Sequence, residues 1–206
     1  MKYLFIDSAT ATLVVAIIIN GEIKYIFNEE TGKDMSSTIM IKVAEAFEKT
    51  GITPQDLDKI FAVTGPGSFT GIRVGLTVAK TMAWSLKIPV IPVSSLEVIA
   101  SGTPATNNIA LIDARRGFVY AGSYNENLDN TFIDRHILLE NINESGTYIS
   151  YDELPNTIKP NIDVLKVIKK HEKENGINPH SLNPNYLKLT EAEENLKKKN
   201  DWRKYA

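Results

Sequence analysis

Gly65-Pro66-Gly67-Ser68-Phe69-Thr70-Gly71-Ile72-Arg73-Val74-Gly75 joins an apolar run, Ile60 to Val63, to a long segment of helical spacing. The run reads as a buried strand and the segment as a helix from about 70 to 86. A glycine-rich turn between strand and helix is the setting in which backbone N–H groups cradle phosphate. The stretch carries no Gly-Lys-Ser/Thr ending, so it is not a Walker A loop. Three residues separate Gly67 from Gly71, so it is not the dinucleotide fingerprint either. Anion binding and a strained tight turn that needs glycine both fit it. Gly-Ser-Phe-Thr-Gly also lacks the spacing of a nucleophile elbow.

The helix behind the turn has Gly71, Gly75, Ala79 and Ala83 at every fourth position. They form one ridge of small side chains. Glycine inside a helix costs about 1 kcal/mol relative to alanine, so two on one face predict a close backbone approach. The ridge faces either the chain's own preceding helix or a helix of another subunit.

Working outward, residues 3–7 form an apolar run ending in Asp7. Residues 12–19 are β-branched and apolar, and Asn20-Gly21 is a two-residue hairpin signal before a return strand at 22–27. The chain thus opens as a three-stranded antiparallel meander. Met35, Ile39, Met40, Val43, Ala44 and Phe47 share a helical face, and Gly51 ends that helix. Thr53-Pro54-Gln55-Asp56 reads as the start of another. Beyond the glycine turn, Pro89 to Val93 is a strand and Ser94-Ser95 caps a helix through Ala100. Ser101 to Asn108 is a polar link. Ile109 to Asp113 and Phe118 to Ser123 are strands around Ala114-Arg115-Arg116-Gly117. Helices are expected at 161–175 and 190–204. This order is α/β with mixed strand directions.

Composition sets outer bounds. The 206 residues are 43% hydrophobic and 23% charged, with net charge −2 and no cysteine. A disulfide scaffold, a thiolate zinc site and a thiol nucleophile are excluded. Residues 1–103 and 104–206 each carry one more acid than base, so neither half is a basic nucleic-acid lobe. The dense basic patch, Lys197-Lys198-Lys199 with Arg203 and Lys204, reads as a solvated terminal helix. Fifty of the first hundred residues are apolar, and the last third is leaner, so the core is concentrated early. No leader or membrane helix is visible, which gives the expectation of a cytoplasmic protein.

Asp7 and Asp113 both end strands. A carboxylate there holds a metal-bound phosphate or caps its own turn. The Arg115-Arg116 pair suits phosphate, a partner carboxylate or a solvated hairpin tip. His136, His171 and His180 make no metal-ligand spacing and are expected at the surface.

Five motifs in order, Ile6-Asp7-Ser8-Ala9-Thr10, Gly65 to Gly75, Ile88-Pro89-Val90 with Val93-Ser94-Ser95-Leu96, Ile112 to Tyr120, and Pro184-Asn185-Tyr186-Leu187-Lys188, resemble the TsaB (YeaZ) family. The resemblance covers about residues 3–188. It implies the actin-like, Hsp70-like and sugar-kinase-like ATPase fold, built as two ribonuclease H-like lobes: an N-terminal lobe at 1–103 and a smaller, divergent C-terminal lobe at 104–206. It implies an accessory, non-catalytic role in threonylcarbamoyladenosine formation at adenosine 37 of tRNAs reading ANN codons. The implied partners are the catalytic paralogue TsaD and the P-loop protein TsaE, with a homodimer in their absence and tRNA reached through the complex.

The resemblance implies pairing through the first helices. That assigns Met35, Ser36, Ile39, Met40, Val43, Gly71, Arg73, Val74, Gly75, Val78 and Ala79 to the interface. Asp7, Gly65, Gly67, Ser68 and Asp113 are candidates for nucleotide, with ATP or ADP at a subunit junction and no cofactor of the chain's own. TsaD carries a His-x-x-x-His metal pair where this chain has Ser95 and Ile99, so no metal or peptidase site is expected. Members often have His-Ser where this chain has Met35-Ser36. The alternative function is a small ATPase or phosphotransferase using Asp7, Asp113 and the Gly65–Gly71 loop.

Overall fold

A computed structural model describes residues 1–31 and 34–188. The expected helix at 190–204 and the basic patch at 197–204 lie outside them. The opening meander forms as expected: β1 (Lys2–Asp7), β2 (Thr12–Ile19) and β3 (Glu22–Glu30) pair antiparallel. Asn20 and Gly21 both take positive φ, 53° and 82°, as their two-residue turn requires. Helix α1 (Met35–Thr50) follows and ends on Gly51 in the left-handed region. The Thr53-Pro54 signal yields a single 3-10 turn, Pro54–Asp56, rather than a helix. Thr53 spends both its N–H and its hydroxyl on Asp56 Oδ2, each at 2.8 Å, which closes the turn on itself.

Strand β4 (Lys59–Gly65) lies parallel to β1, and β5 (Val90–Ser94) lies parallel to β4. Between them runs α2 (Phe69–Leu86), whose Ser68 hydroxyl accepts the Gly71 N–H at 3.1 Å. The sheet order is β3-β2-β1-β4-β5. Short helix α3 (Ser95–Ala100), capped by Ser94, leads to a second sheet. There β6 (Asn108–Asp113), β7 (Phe118–Tyr124), β8 (Asn130–Leu138) and β9 (Thr147–Ile149) take the order β8-β7-β6-β9. The second order repeats the first: two antiparallel pairings, then a parallel one. This is a double ribonuclease H-like topology, and among the described residues the second copy is shorter by one strand.

The main core lies around the first sheet, where Leu4, Phe5, Ile17, Ile39, Phe61 and Ile72 are sealed from solvent. Each such side chain contributes about 1.5–3 kcal/mol. Helix α4 (Val164–His171) brings Val164, Val167 and Ile168 back into that core, and Leu182 joins them. A smaller cluster, including Ile109, Leu111, Val119 and Ala121, sits on the other face of the second sheet. No helix among the described residues is long and apolar enough to cross a membrane.

Candidate functional site

Helices α1 and α2 lie side by side on the first sheet, and their spacing decides what faces out. Met35, Ile39 and Val43 are buried at 7%, 0% and 3% exposure, whereas Met40 is 53% exposed. On α2, Arg73 is exposed and Val74 and Val78 are half-buried. Ser36, Met40, Phe69, Arg73, Val74 and Val78 line a groove of about 470 Å³ between the two helices.

The small-residue ridge does not belong to that groove. A Cβ on Gly71 would lie 2.2 Å from the Ser8 carbonyl oxygen, and one on Gly75 would lie 2.1 Å from Ser8 Oγ. Ala79 and Ala83 are sealed as well. At Gly71 and Gly75 the ridge therefore faces the end of β1 and the turn after it. Ser8 fills the space beside Gly71 and Gly75, and Ala79 is sealed within the chain, so these three expected interface residues do not line the outward groove. Helical spacing revealed the close approach but not its target. Ser8 explains it, because its hydroxyl donates to the Gly71 carbonyl at 2.8 Å inside the protein.

The second candidate lies between the lobes. Thr10, Gly67, Ser68, Thr70, Asp113, Arg115, Tyr120 and Asp152 line a cleft of about 490 Å³. The β1–β2 turn and the glycine turn form one wall, and the start of the β6–β7 hairpin forms the other. Gly67 has φ +152°, and a Cβ there would strike the Ala9 carbonyl at 2.1 Å. The Ser68 N–H donates to that carbonyl at 2.7 Å, so this amide is already spent within the fold. Gly65 is not at the cleft. It is buried, and a Cβ on it would meet Ile72 at 2.8 Å and the Asn185 carbonyl at 3.1 Å.

Asp7 and Asp113 hold equivalent places. Asp7 Oδ1 accepts the Ala9 N–H, and Asp113 Oδ1 accepts the Arg115 N–H, both at 2.8 Å. Asp113 is exposed in the cleft, with its own N–H donated to Asp152 at 2.8 Å. Asp7 is 4% exposed and does not line the cleft. Burial pushes its carboxyl up to about 7, against the smaller opposing effect of the Ala9 N–H. Of the five expected nucleotide residues, the fold therefore brings Gly67, Ser68 and Asp113 together and sets Asp7 and Gly65 behind them. It adds Thr10, Tyr120 and Asp152, for which residue type and spacing give no signal.

At the positions matching the metal pair, the Ser95 hydroxyl donates to the Pro66 carbonyl and Ile99 packs in the core. Glu97 between them is 5% exposed and pairs with His171 Nε2 at 2.8 Å, while His171 Nδ1 meets Glu174 at 2.6 Å. His171 is thus not a surface histidine. Burial alone lowers its pKa, but the hydrogen bonds and charges of Glu97 and Glu174 outweigh that and raise it. His136 also has a neighbour, with its ring stacked on Phe118 at 4.6 Å.

Comparison with known proteins follows this geometry. Residues 22–159 match the family model described as TsaD, tRNA N6-adenosine threonylcarbamoyltransferase. A Bacillus subtilis protein named tRNA threonylcarbamoyladenosine biosynthesis protein TsaB is 38% identical over 144 residues, covering 68% of this chain and 63% of the relative. Proteins of the same name from Haemophilus influenzae and Escherichia coli are 35% and 34% identical, covering 58% and 60% of this chain. Those matches span 52% and 55% of the relatives, so the matched stretch is little more than half their length. YeaZ from Pseudomonas aeruginosa superposes with a TM-score of 0.79 at 22% identity, covering 90% of this chain and 99% of that one, which shows a shared fold. On the family match and these relatives, the chain belongs to the TsaB (YeaZ) family, within the wider family that the TsaD model describes.

Proposed function

We propose that this chain is a non-catalytic scaffold subunit in threonylcarbamoyladenosine formation on tRNAs reading ANN codons. It docks on a TsaD-type catalytic subunit through the α1/α2 groove, with TsaE as a further partner. Without that partner it pairs with itself through the same face. It works in the cytoplasm and reaches tRNA through the complex. The observation that carries this reading is the groove itself: Met40 is exposed and Val74 and Val78 are half-open between two helices. Apolar side chains in such a groove suit a helical partner.

Two features support a scaffold over an enzyme. Asp7, one of the two strand-end carboxylates read from sequence as able to hold a metal-bound phosphate, is buried under the turn that it caps. The Ser68 amide is committed to Ala9. The test is depletion of the protein in its own cells, followed by mass spectrometry of tRNA nucleosides. Loss of threonylcarbamoyladenosine is expected, and unchanged levels would sink the assignment.

The second reading, a small ATPase or phosphotransferase, draws on the cleft, where Thr10, Ser68, Asp113 and Arg115 converge beside the positive end of α2. ATP or ADP held there or at a subunit junction belongs to this reading. ATP turnover by the isolated chain, abolished by Asp113→Ala, would favour it. No turnover alone, with modification restored by adding the TsaD-type subunit, favours the scaffold.

A further inference from the structure

Three side chains from distant parts of the chain meet at one end of the α1/α2 groove. Phe69 opens α2, Arg73 follows one turn later, and Tyr186 arrives from the segment after Leu182. Tyr186 stacks on Phe69 with ring centres 5.3 Å apart and 22° between planes. The Arg73 guanidinium carbon lies 3.9 Å from the Phe69 ring centre. Arg73 Nε–H donates to the Tyr186 hydroxyl oxygen at 2.8 Å. Phe69 and Tyr186 nevertheless remain 52% and 37% exposed as residues.

The segment that delivers Tyr186 is fastened along α2. Lys80 Nζ donates to the His180 and Leu182 carbonyls at 3.1 and 3.2 Å, Leu182 is buried, and the Asn185 N–H donates to the Thr64 carbonyl at 2.8 Å. Arg73 is thereby held through its guanidinium face and Nε, which among the described residues leaves its two Nη groups for an outside partner. Among the described residues no carboxylate lies within ion-pair reach of it. A guanidinium stacked on a ring is weakly hydrated and presents a fixed fork, the geometry that binds carboxylate with two parallel hydrogen bonds.

We propose that Tyr186 is a positioning residue. It holds Arg73 at the end of the groove to receive a carboxylate from an amphipathic partner helix whose apolar face covers Met40, Val74 and Val78. The proposal rests on the docking reading above and adds the chemistry of the partner surface. Charge complementarity selects the occupant: an apolar groove whose one charged lining residue among the described residues is the preset Arg73 suits an apolar helix bearing one acid at that end.

The test uses the full chain and the TsaD-type subunit, with affinity measured by calorimetry at low and high salt. Arg73→Ala and Tyr186→Ala are each expected to weaken binding about 10-fold. The double variant is expected to bind no worse than either single, because both remove the same contact. The salt dependence seen with the natural chain should flatten in both. Tyr186→Phe keeps the stack and should recover part of the loss, which a merely structural role for the hydroxyl would not predict. Melting curves of the free variants separate a folding defect from a binding one. Additive losses, or natural affinity in Arg73→Ala, would overturn the proposal while the docking reading stands. Weakening of the homodimer alone would place the carboxylate on a second copy and also overturn it. If Val78→Asp binds the subunit as the natural chain does, the docking reading fails, and this proposal fails with it.

Discussion

Asp7 and Asp113 make the same two-residue turn at the end of the first strand of each sheet, yet one is buried and the other faces the cleft. The difference has a sign in pH. Burial raises the Asp7 carboxyl from 3.8 to about 7, so the folded chain holds a proton there that the unfolded chain has released. Between those values the folded state binds more protons, and stability falls as pH rises. The loss is complete by about pH 8, where both states have released the proton. Asp7→Asn keeps the oxygen that accepts the Ala9 N–H and removes the charge. It is expected to melt higher than the natural chain at pH 8 and about equally at pH 4. Calorimetry across that range checks it, and equal melting at pH 8 would show that Asp7 carries no such burden. The same variant should support modification normally, since the carboxylate has no catalytic task in the scaffold reading.

Gly75 and Ser8 supply a stability test in place of the interface test that helical spacing suggests. Alanine at 75 gains about 1 kcal/mol of helix propensity. Its Cβ, however, would sit 2.1 Å from Ser8 Oγ, and that hydroxyl is pinned by its bond to the Gly71 carbonyl. Moving it forfeits a buried hydrogen bond, and the strain of overpacking adds about 1–3 kcal/mol. Gly75→Ala is therefore expected to be destabilising, by about 1–3 kcal/mol in denaturant unfolding. Ser8→Ala removes the struck oxygen, so the double variant should be less damaged than the sum of the singles. Strict additivity would show that the two positions do not meet.

The His171–Glu97 pair sets a second pH dependence. His171 is raised above 6.5 in the folded state because the bonds and charges of Glu97 and Glu174 outweigh burial. The facing groups are Glu97 on α3, Lys170 on α4 at 3.5 Å from that carboxylate, and Glu174 beyond the helix end. A raised histidine contributes stability that is complete below 6.5 and is lost as pH rises through the folded value. Melting temperature should fall from pH 6 to pH 9 by more in the natural chain than in His171→Gln. Parallel profiles for the two would remove the pair from the stability balance.

The legible parts of the sequence were those with strong local chemistry. Asn20-Gly21 announced a hairpin because both positions need positive φ, and Ser94 announced a helix start because its hydroxyl satisfies an end amide, whereas the cap that Ser68 gives α2 emerged only in the fold. Strand β8 was not visible in advance. Its inward positions include Asp134 and His136, polar residues that read as loop. Asp134 is tolerated there because the Ser94 and Tyr124 hydroxyls donate to its carboxylate, partners that only the tertiary fold supplies. The expected helix at 161–175 shortened to 164–171 for a related reason. Asp163 caps it by accepting the Lys166 N–H at 3.0 Å, and after His171 the chain turns to feed Glu172 and Glu174 carbonyls to Lys59. At the candidate site, the motif around Tyr186 was recognisable by resemblance, but its stack on Phe69 joins residues 117 positions apart. No local periodicity encodes such a contact.

Met40 gives the most direct test of the docking face. Half of this side chain is in water in the free chain, on the rim of the α1/α2 groove. Met40→Asp should therefore change the stability of the isolated chain by no more than about 0.5 kcal/mol, as exposed substitutions usually do. In a complex the same position would lie under an apolar helix, where an unpaired carboxylate is costly to desolvate. Affinity for the TsaD-type subunit should fall at least about 10-fold, a loss of about 1.4 kcal/mol or more. Size-exclusion chromatography of the mixed proteins reads the loss of the complex, and tRNA nucleoside analysis reads the loss of modification in cells carrying the variant. A folded Met40→Asp chain that still co-elutes with its partner would move the docking surface off this groove. Attention would then turn to the inter-lobe cleft that Asp113 and Arg115 line.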